Sequence, residues 1–468
     1  MTALHDLSAH ELLAAYRARS LSPVEVTRAL LEHIARWEPH LHATWLLRPE
    51  EALAQARSSE ARWLRGAPCG PLDGVPVTVK DNIATRGDPT PLGTAALPLV
   101  PAAADAPPAA RLREAGAVFI SKTTMPDYGM LSSGLSSFHA LARNPWDLNR
   151  GPGGSSAGAG AAAAAGYAPL HVGTDIGGSI RLPASWCGIF GLKPSLGRIP
   201  IDPPYTGRAA GPMTRTVRDA ALMMQVLSRP DARDSMSLPA QDIAWEQCAA
   251  PPEQLRGLRL GLLLDAGCGL PVDAEVRAAI EAAARLFEQA GAIVTPMAPF
   301  LTRAMLDGMD HFWRMRSLMD LHTLTPGERG KVLPFIRAWA ESAAGLTGPQ
   351  VFEASQQFHA TRVATVRACA PFDYVLSPVA PITAFAAELP APTNDPLRPL
   401  EHIAFTVPFN MSEQPAAAIA CGHTAAGLPV GLQIAGPRFD DLGVLRIAHA
   451  FERLRGPLRP WPEPPGNQ

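Results

Sequence analysis

The stretch from Asn144 to Pro194 reads NPWDLNRGPGGSSAGAGAAAAAGYAPLHVGTDIGGSIRLPASWCGIFGLKP, and its order of elements decides the fold class. A turn-rich opening runs into a small-residue helix, Ala159 to Ala165. A strand, Leu170 to Gly173, follows and leads into a second Gly/Ser turn from Thr174 to Pro183. Upstream, Val75 to Val79 reads as a short β-branched strand that delivers Lys80 at its end. Ala117 to Ile120 reads as another, preceded by a helix closing near Gly116. Strand and helix alternate, which is the pattern of an α/β fold.

The same alternation continues outward. Strands are expected at Leu258 to Leu264 and Ala292 to Thr295, and helices at Val217 to Leu227 and Ala274 to Ala290. Ala416 to Ala420 and Val430 to Ile434 flank a turn-rich segment and read as a hairpin. Leu389 to Pro399 is Pro-rich and reads as a surface loop. Two capping boxes, Ser8 to Glu11 and Ser22 to Glu25, open the chain, so the first sixty-odd residues are expected to be helical. No tandem repeat or flexible linker interrupts the 468 residues, which points to one large domain.

A chain of this length buries roughly three quarters of its unfolded surface and needs no disulfide or metal staple. The formal net charge is −2, without a basic block, which argues against a nucleic-acid surface or a membrane anchor. The six cysteines are scattered, form no CxxC pair or zinc cluster, and read as buried free thiols of a reducing compartment. Met1 to Leu21 lacks the apolar core of a signal peptide. The expectation is a cytoplasmic protein that needs no cofactor or metal and acts on small molecules.

All but four of the 41 basic residues are arginine. The four lysines are Lys80, Lys122, Lys193 and Lys331. Of the two side chains, only an amine readily gives up its proton near neutral pH, so each lysine is a candidate base. Two Gly-Gly-Ser elements, Gly153 to Ser155 and Gly177 to Ser179, supply serine nucleophiles beside backbone N–H groups that can converge on a developing oxyanion. His171 lies nearby but in a strand with no evident carboxylate partner, and reads as a packed core residue. Lys80, at a strand end, is the alternative base, as in Ser-Lys variants of the serine triad.

These residues sit in longer motifs: GVPVTVKDNI around Lys80, NPWDL followed by GPGGSS, GTDIGGSIRLPA and GLKP. With GPMTRTVRDAALM from Gly211, FDYVLSPVAP from Phe372, FNMSEQPAA from Phe409 and GLPVGLQIAGP from Gly427, they resemble the amidase signature family of serine hydrolases. The resemblance covers nearly the whole chain and is weakest from about Pro230 to Ala370. It implies a single domain with a central mixed β-sheet covered by helices on both faces. Residues 1–65 would form a helical part, 66–230 the signature core and 231–468 a C-terminal α/β part with a divergent substrate region.

The resemblance also implies a Ser-cisSer-Lys triad of Ser179, Ser155 and Lys80, with a cis peptide bond before Ser155. Ile176, Gly177, Gly178 and Ser179 would offer N–H groups to the oxyanion, and Ser156, Asp175 and Arg181 would brace the loops. Tyr128, Phe138 and Trp313 are candidate pocket residues. The expected activity is hydrolysis of a small-molecule carboxylic amide through an acyl-enzyme on Ser179. A homodimer is the assembly considered. Three positions depart from the usual pattern: Ala157 replaces a glycine of GGSSGG, Glu413 replaces a common glycine, and Thr94 replaces a commoner serine.

Three rival readings carry named discriminators. Gly154 to Gly158 satisfies GxSxG with Ser156 as nucleophile, yet a loop rather than a strand precedes it, unlike an α/β-hydrolase elbow. The amidase (glutaminase) subunit of a glutamyl-tRNA amidotransferase typically has glutamine after the arginine of GGSIR, where this chain has Leu182. A non-catalytic scaffold with the amidase fold would have lost the lysine or a serine, and all three are present.

Overall fold

The computed structural model describes residues 3–466; Met1, Thr2, Asn467 and Gln468, which the division above includes, lie outside it. Eleven strands form one mixed sheet: β1 (Thr44–Leu47), β2 (Pro76–Lys80), β3 (Val118–Thr123), β4 (Leu170–Asp175), β5 (Phe190–Lys193), β6 (Ala209–Thr214), β7 (Arg259–Leu262), β8 (Ile293–Pro296), β9 (Tyr374–Pro378), β10 (Ala416–His423) and β11 (Pro429–Ala435). Their order is β1-β3-β2-β4-β6-β5-β10-β11-β9-β7-β8. Parallel pairs join β3, β2 and β4 near one edge and β9, β7 and β8 at the other, with antiparallel pairs between. The expected hairpin is β10–β11, paired in register from Ala416–Ala435 to Ala420–Gly431.

Alternation along the strands assigns the two faces. Val77 and Val79 of β2, with Leu170 and Val172 of β4, join a core built with helices Pro107–Glu114, Val217–Leu227, Ala274–Gln289 and Asp441–Leu454. The other face packs on helices Ala157–Ala164, Arg181–Cys187, Arg303–His322 and Pro334–Glu341. Lys80, one residue past Val79, falls in the set of β2 side chains opposite the valines. The sheet is thus flanked by helices on both faces.

Two expectations need correction. The N-terminal part is not wholly helical: β1 lies between helices Pro23–Leu41 and Pro49–Leu64 and pairs antiparallel with β3 at the sheet edge. Its four residues are too few to show a period. The cysteines are all free, but Cys69 is exposed, and Cys268 and Cys421 are only half-buried.

Small residues decide how the site is assembled. A Cβ at Gly158 would lie 2.1 Å from the Ala43 carbonyl oxygen, so helix Ala157–Ala164 meets the β1 connection backbone to backbone. Ala157 is the first residue of that helix and is fully buried, so its methyl group is accommodated where the usual pattern has glycine. Glu413 has φ +65°, the left-handed region that glycine enters freely. Its carboxylate bonds Arg362 and, at 2.5 Å, Arg438, contacts that offset the conformational cost.

Candidate active site

Strand β2 ends on Lys80, whose side chain is completely buried. Its Nζ donates to Ser155 Oγ at 2.8 Å, Ser156 Oγ at 3.0 Å and Thr174 Oγ1 at 3.0 Å. Burial lowers its pKa to about 7, with a nearby Arg208 acting in the same direction and Asp175 and Asp81 opposing. An ammonium uses three donors on these three hydroxyls, whereas the neutral amine has two and a lone pair. Losing the proton therefore turns one hydroxyl around to donate into Nζ. Ser156 spends its own hydrogen on the Thr174 carbonyl at 3.2 Å, which leaves Ser155 and Thr174.

Ser155 follows a cis Gly154–Ser155 peptide bond. The Ser156 N–H donates to the Ser179 carbonyl at 3.2 Å, tying the two Gly-Gly-Ser loops together. Both Ser155 (4% exposed) and Ser179 (9% exposed) open onto one cleft. Among the described residues, Ser179 Oγ makes no hydrogen bond. Of the two Gly-Gly-Ser hydroxyls that line the cleft, only that of Ser155 is bonded to Lys80.

The loop carrying Ser179 is braced from below. Asp175, at the end of β4, accepts from Arg181 Nε at 3.0 Å and Nη2 at 2.8 Å, and from Asn410 Nδ2 at 2.9 Å. Burial works against its ionisation, but the Arg181 guanidinium and these bonds hold the carboxyl well below the usual range. Arg181 also donates to the Thr406 carbonyl and Gln433 Oε1, so both members of the pair are fully buried and bonded. Of the four expected oxyanion donors, Gly178 is otherwise engaged: its N–H donates to Asp175 Oδ1 at 2.9 Å. The N–H groups of Ile176, Gly177 and Ser179 have no such partner among the described residues.

Tyr128 and Trp313 line the cleft, whereas Phe138 does not. Phe138 packs edge-on against Trp45 (5.4 Å between ring centres) and His139 (4.9 Å). His171 is buried and bonded to Thr78 Oγ1 and the Ala168 carbonyl, away from the serines. Sequence reasoning missed Asn82, Thr174, Tyr205, Arg208 and Arg316. Arg316 follows Trp313 by three residues in helix Arg303–His322, a spacing that puts both on one helical face. Tyr205 and Arg208 come from the β5–β6 connection, which offers no such periodicity. Among the described residues no cluster of His, Cys, Asp or Glu could hold a metal ion, and no helix is long and apolar enough to cross a membrane.

A family model described as Amidase matches residues 25–445. The chain is 37% identical to a glutamyl-tRNA(Gln) amidotransferase subunit from Myxococcus xanthus, over 96% of this chain and 97% of that protein. Among solved structures, a bacterial aryl acylamidase of the amidase signature family superposes with TM-score 0.89 at 29% identity, covering 97% of both chains. The peptide amidase of Stenotrophomonas maltophilia superposes with TM-score 0.83 at 26% identity, over 98% of this chain and 99% of that one.

Proposed function

Since the chain belongs to the amidase signature family, enzymes that act on the C–N bond of amides, we propose that it hydrolyses a small-molecule amide through an acyl-enzyme on Ser179. One observation carries this reading: a fully buried lysine, with its pKa near 7, bonded to the hydroxyl of Ser155 in the cleft that Ser179 enters. Neutral Lys80 takes the Ser155 proton while Ser155 takes that of Ser179. The Ser179 oxygen bonds to the carbonyl carbon, and the C=O π pair moves to oxygen. The oxyanion forms against the free N–H groups of Ile176, Gly177 and Ser179, where one donor is worth about 3–4 kcal/mol of barrier.

Collapse of this intermediate breaks the C–N bond. The leaving nitrogen receives its proton from Ser155, which recovers one from Lys80. Water then attacks the ester by the same relay, releasing a carboxylate and restoring Ser179. Labelling with a fluorophosphonate and a panel of primary amides, anilides and amino-acid amides tests the assignment. Ser179→Ala is expected to abolish both labelling and hydrolysis. Unchanged turnover in that variant would overturn it.

A second reading, the amidase (glutaminase) subunit of a glutamyl-tRNA amidotransferase, has the whole-chain identity to proteins of that kind behind it. Against it stand Leu182 after Arg181 and a cleft without a carboxylate for the ammonium group of glutamine. Glutaminase activity that appears only with partner subunits would establish it; amide hydrolysis by the purified chain alone would exclude it.

A further inference from the structure

Two guanidinium groups, from Arg208 and Arg316, border the cleft that holds Ser155 and Ser179. Among the described residues the three buried arginines are paired: Arg181 with Asp175 at 2.8 Å, Arg198 with Asp441 at 3.0 Å, and Arg314 with Asp310. The two half-buried cleft arginines have no carboxylate within hydrogen-bond distance. Arg208 makes no ion pair among the described residues; its Nη2 donates only to the Pro203 carbonyl, and its buried Nε has no partner. Arg316 Nε has the exposed Asp320 carboxylate only at 4.0 Å and makes no hydrogen bond, and Nη2 meets Met130 Sδ at 3.1 Å, a weak acceptor. Its guanidinium lies over the Tyr205 ring, 5.1 Å from the centre, which fixes its direction.

Positive charge in a half-buried cleft with no carboxylate in hydrogen-bond contact is costly unless a ligand supplies the counter-charge. Burial first and repulsion from Arg316 second lower the pKa of Arg208, with Tyr205, Asp234 and Asp202 opposing. Among the described residues no Asp or Glu lines the cleft, so an ammonium group finds no carboxylate there, and Met130, Leu131, Ile176, Trp313 and Ile403 supply an apolar wall.

Taking Ser179 as the nucleophile, we infer that the preferred substrate is an amide with an apolar stem that carries a carboxylate, held by Arg208 and Arg316, and no ammonium group. The carboxylate belongs either to the acyl part, as in the monoamide of a dicarboxylic acid, or to the amine part, as in an N-acyl amino acid. Guanidinium–carboxylate bonds are the interaction best matched to the open donors.

The test uses the purified full-length chain. In the acyl arm, glutaryl-p-nitroanilide is compared with its methyl-ketone isostere and with γ-glutamyl-p-nitroanilide. In the amine arm, N-benzoylglycine is compared with N-benzoylpropylamine. In at least one arm kcat/KM is expected to favour the anion by about 10–100-fold, and Arg208→Leu or Arg316→Leu to reduce that ratio by tenfold or more. Arg316→Lys is expected to retain part of it. Equal or better turnover of the neutral partner in both arms would overturn the inference. So would a ratio unmoved by both leucine variants, or a preference for the γ-glutamyl anilide.

Fluorophosphonate labelling separates the two assignments. If Ser179 labels but no anilide turns over, protection by glutarate, absent with glutaramide and lost in Arg316→Leu, still supports the anion site; no protection overturns it. If Ser179 does not label, the nucleophile assignment fails, and direct titration of glutarate binding, with and without Arg316→Leu, decides the anion site.

Discussion

Lowering the pH should switch off amide hydrolysis along the protonation curve of Lys80. The ordinary lysine value of 10.5 is brought to about 7 chiefly by burial. The amine is then about half neutral at pH 7, about one tenth at pH 6 and about one hundredth at pH 5. Only the neutral form can take the Ser155 proton, so kcat/KM for a non-ionising amide should fall about tenfold per pH unit below the midpoint. Lys80→Arg removes the choice: a guanidinium is neutral in fewer than about one in 10⁵ molecules at pH 7. Loss of the base should therefore cost about 10²–10⁴ in rate. The assay is steady-state release of p-nitroaniline from a neutral acyl anilide between pH 5 and 9, with circular dichroism to show that the variant folds. A flat profile from pH 5 to 8, or Lys80→Arg turnover within threefold of the parent, would refute the reasoning.

The remaining predictions concern the scaffold and the cleft wall. Arg181→Met strands the fully buried Asp175 carboxylate and should cost about 3–5 kcal/mol in urea unfolding at pH 7. Because the native carboxyl is held low, the stability it contributes is present above about pH 4 and fades as pH falls towards its depressed value; acid titration of parent and variant should converge there. Gly158→Ala should prevent soluble expression or cost several kcal/mol, since its Cβ would meet the Ala43 oxygen at 2.1 Å, whereas Ala157→Gly should cost at most about 1 kcal/mol by thermal melting. Trp313→Ala should raise KM for an aromatic amide about tenfold, while Phe138→Leu, outside the cleft lining, should move the melting temperature and leave substrate preference unchanged.

What the sequence discloses follows from how local each signal is. Strand β2 and helix Val217–Leu227 are legible because branching, periodicity and punctuation lie within the elements themselves. Strand β1 is not, because four residues owe their pairing to β3, more than seventy positions away. The Gly-Gly-Ser loops announce themselves through composition, yet the engagement of the Gly178 N–H depends on where one carboxylate oxygen of Asp175 turns. Arg208 and Arg316 reach one cleft from a loop and a helix more than a hundred residues apart, and in an arginine-rich chain neither stands out.

The lysines show why a chemical rule must be finished by geometry. Three of the four are buried: Lys80, Lys122 and Lys193. Burial lowers Lys193 to about 7, as it does Lys80, and brings Lys122 to about 8. A depressed pKa therefore does not single out a base here. Lys193 donates to the Pro194 carbonyl and Lys122 to the Ile83 carbonyl, acceptors that have no proton to give. Lys80 alone among the three bonds to hydroxyl groups, and two of these residues, Ser155 and Thr174, line the cleft. The physical criterion for the base is thus the partner, a group able to pass a proton onward, and not the acidity of the amine.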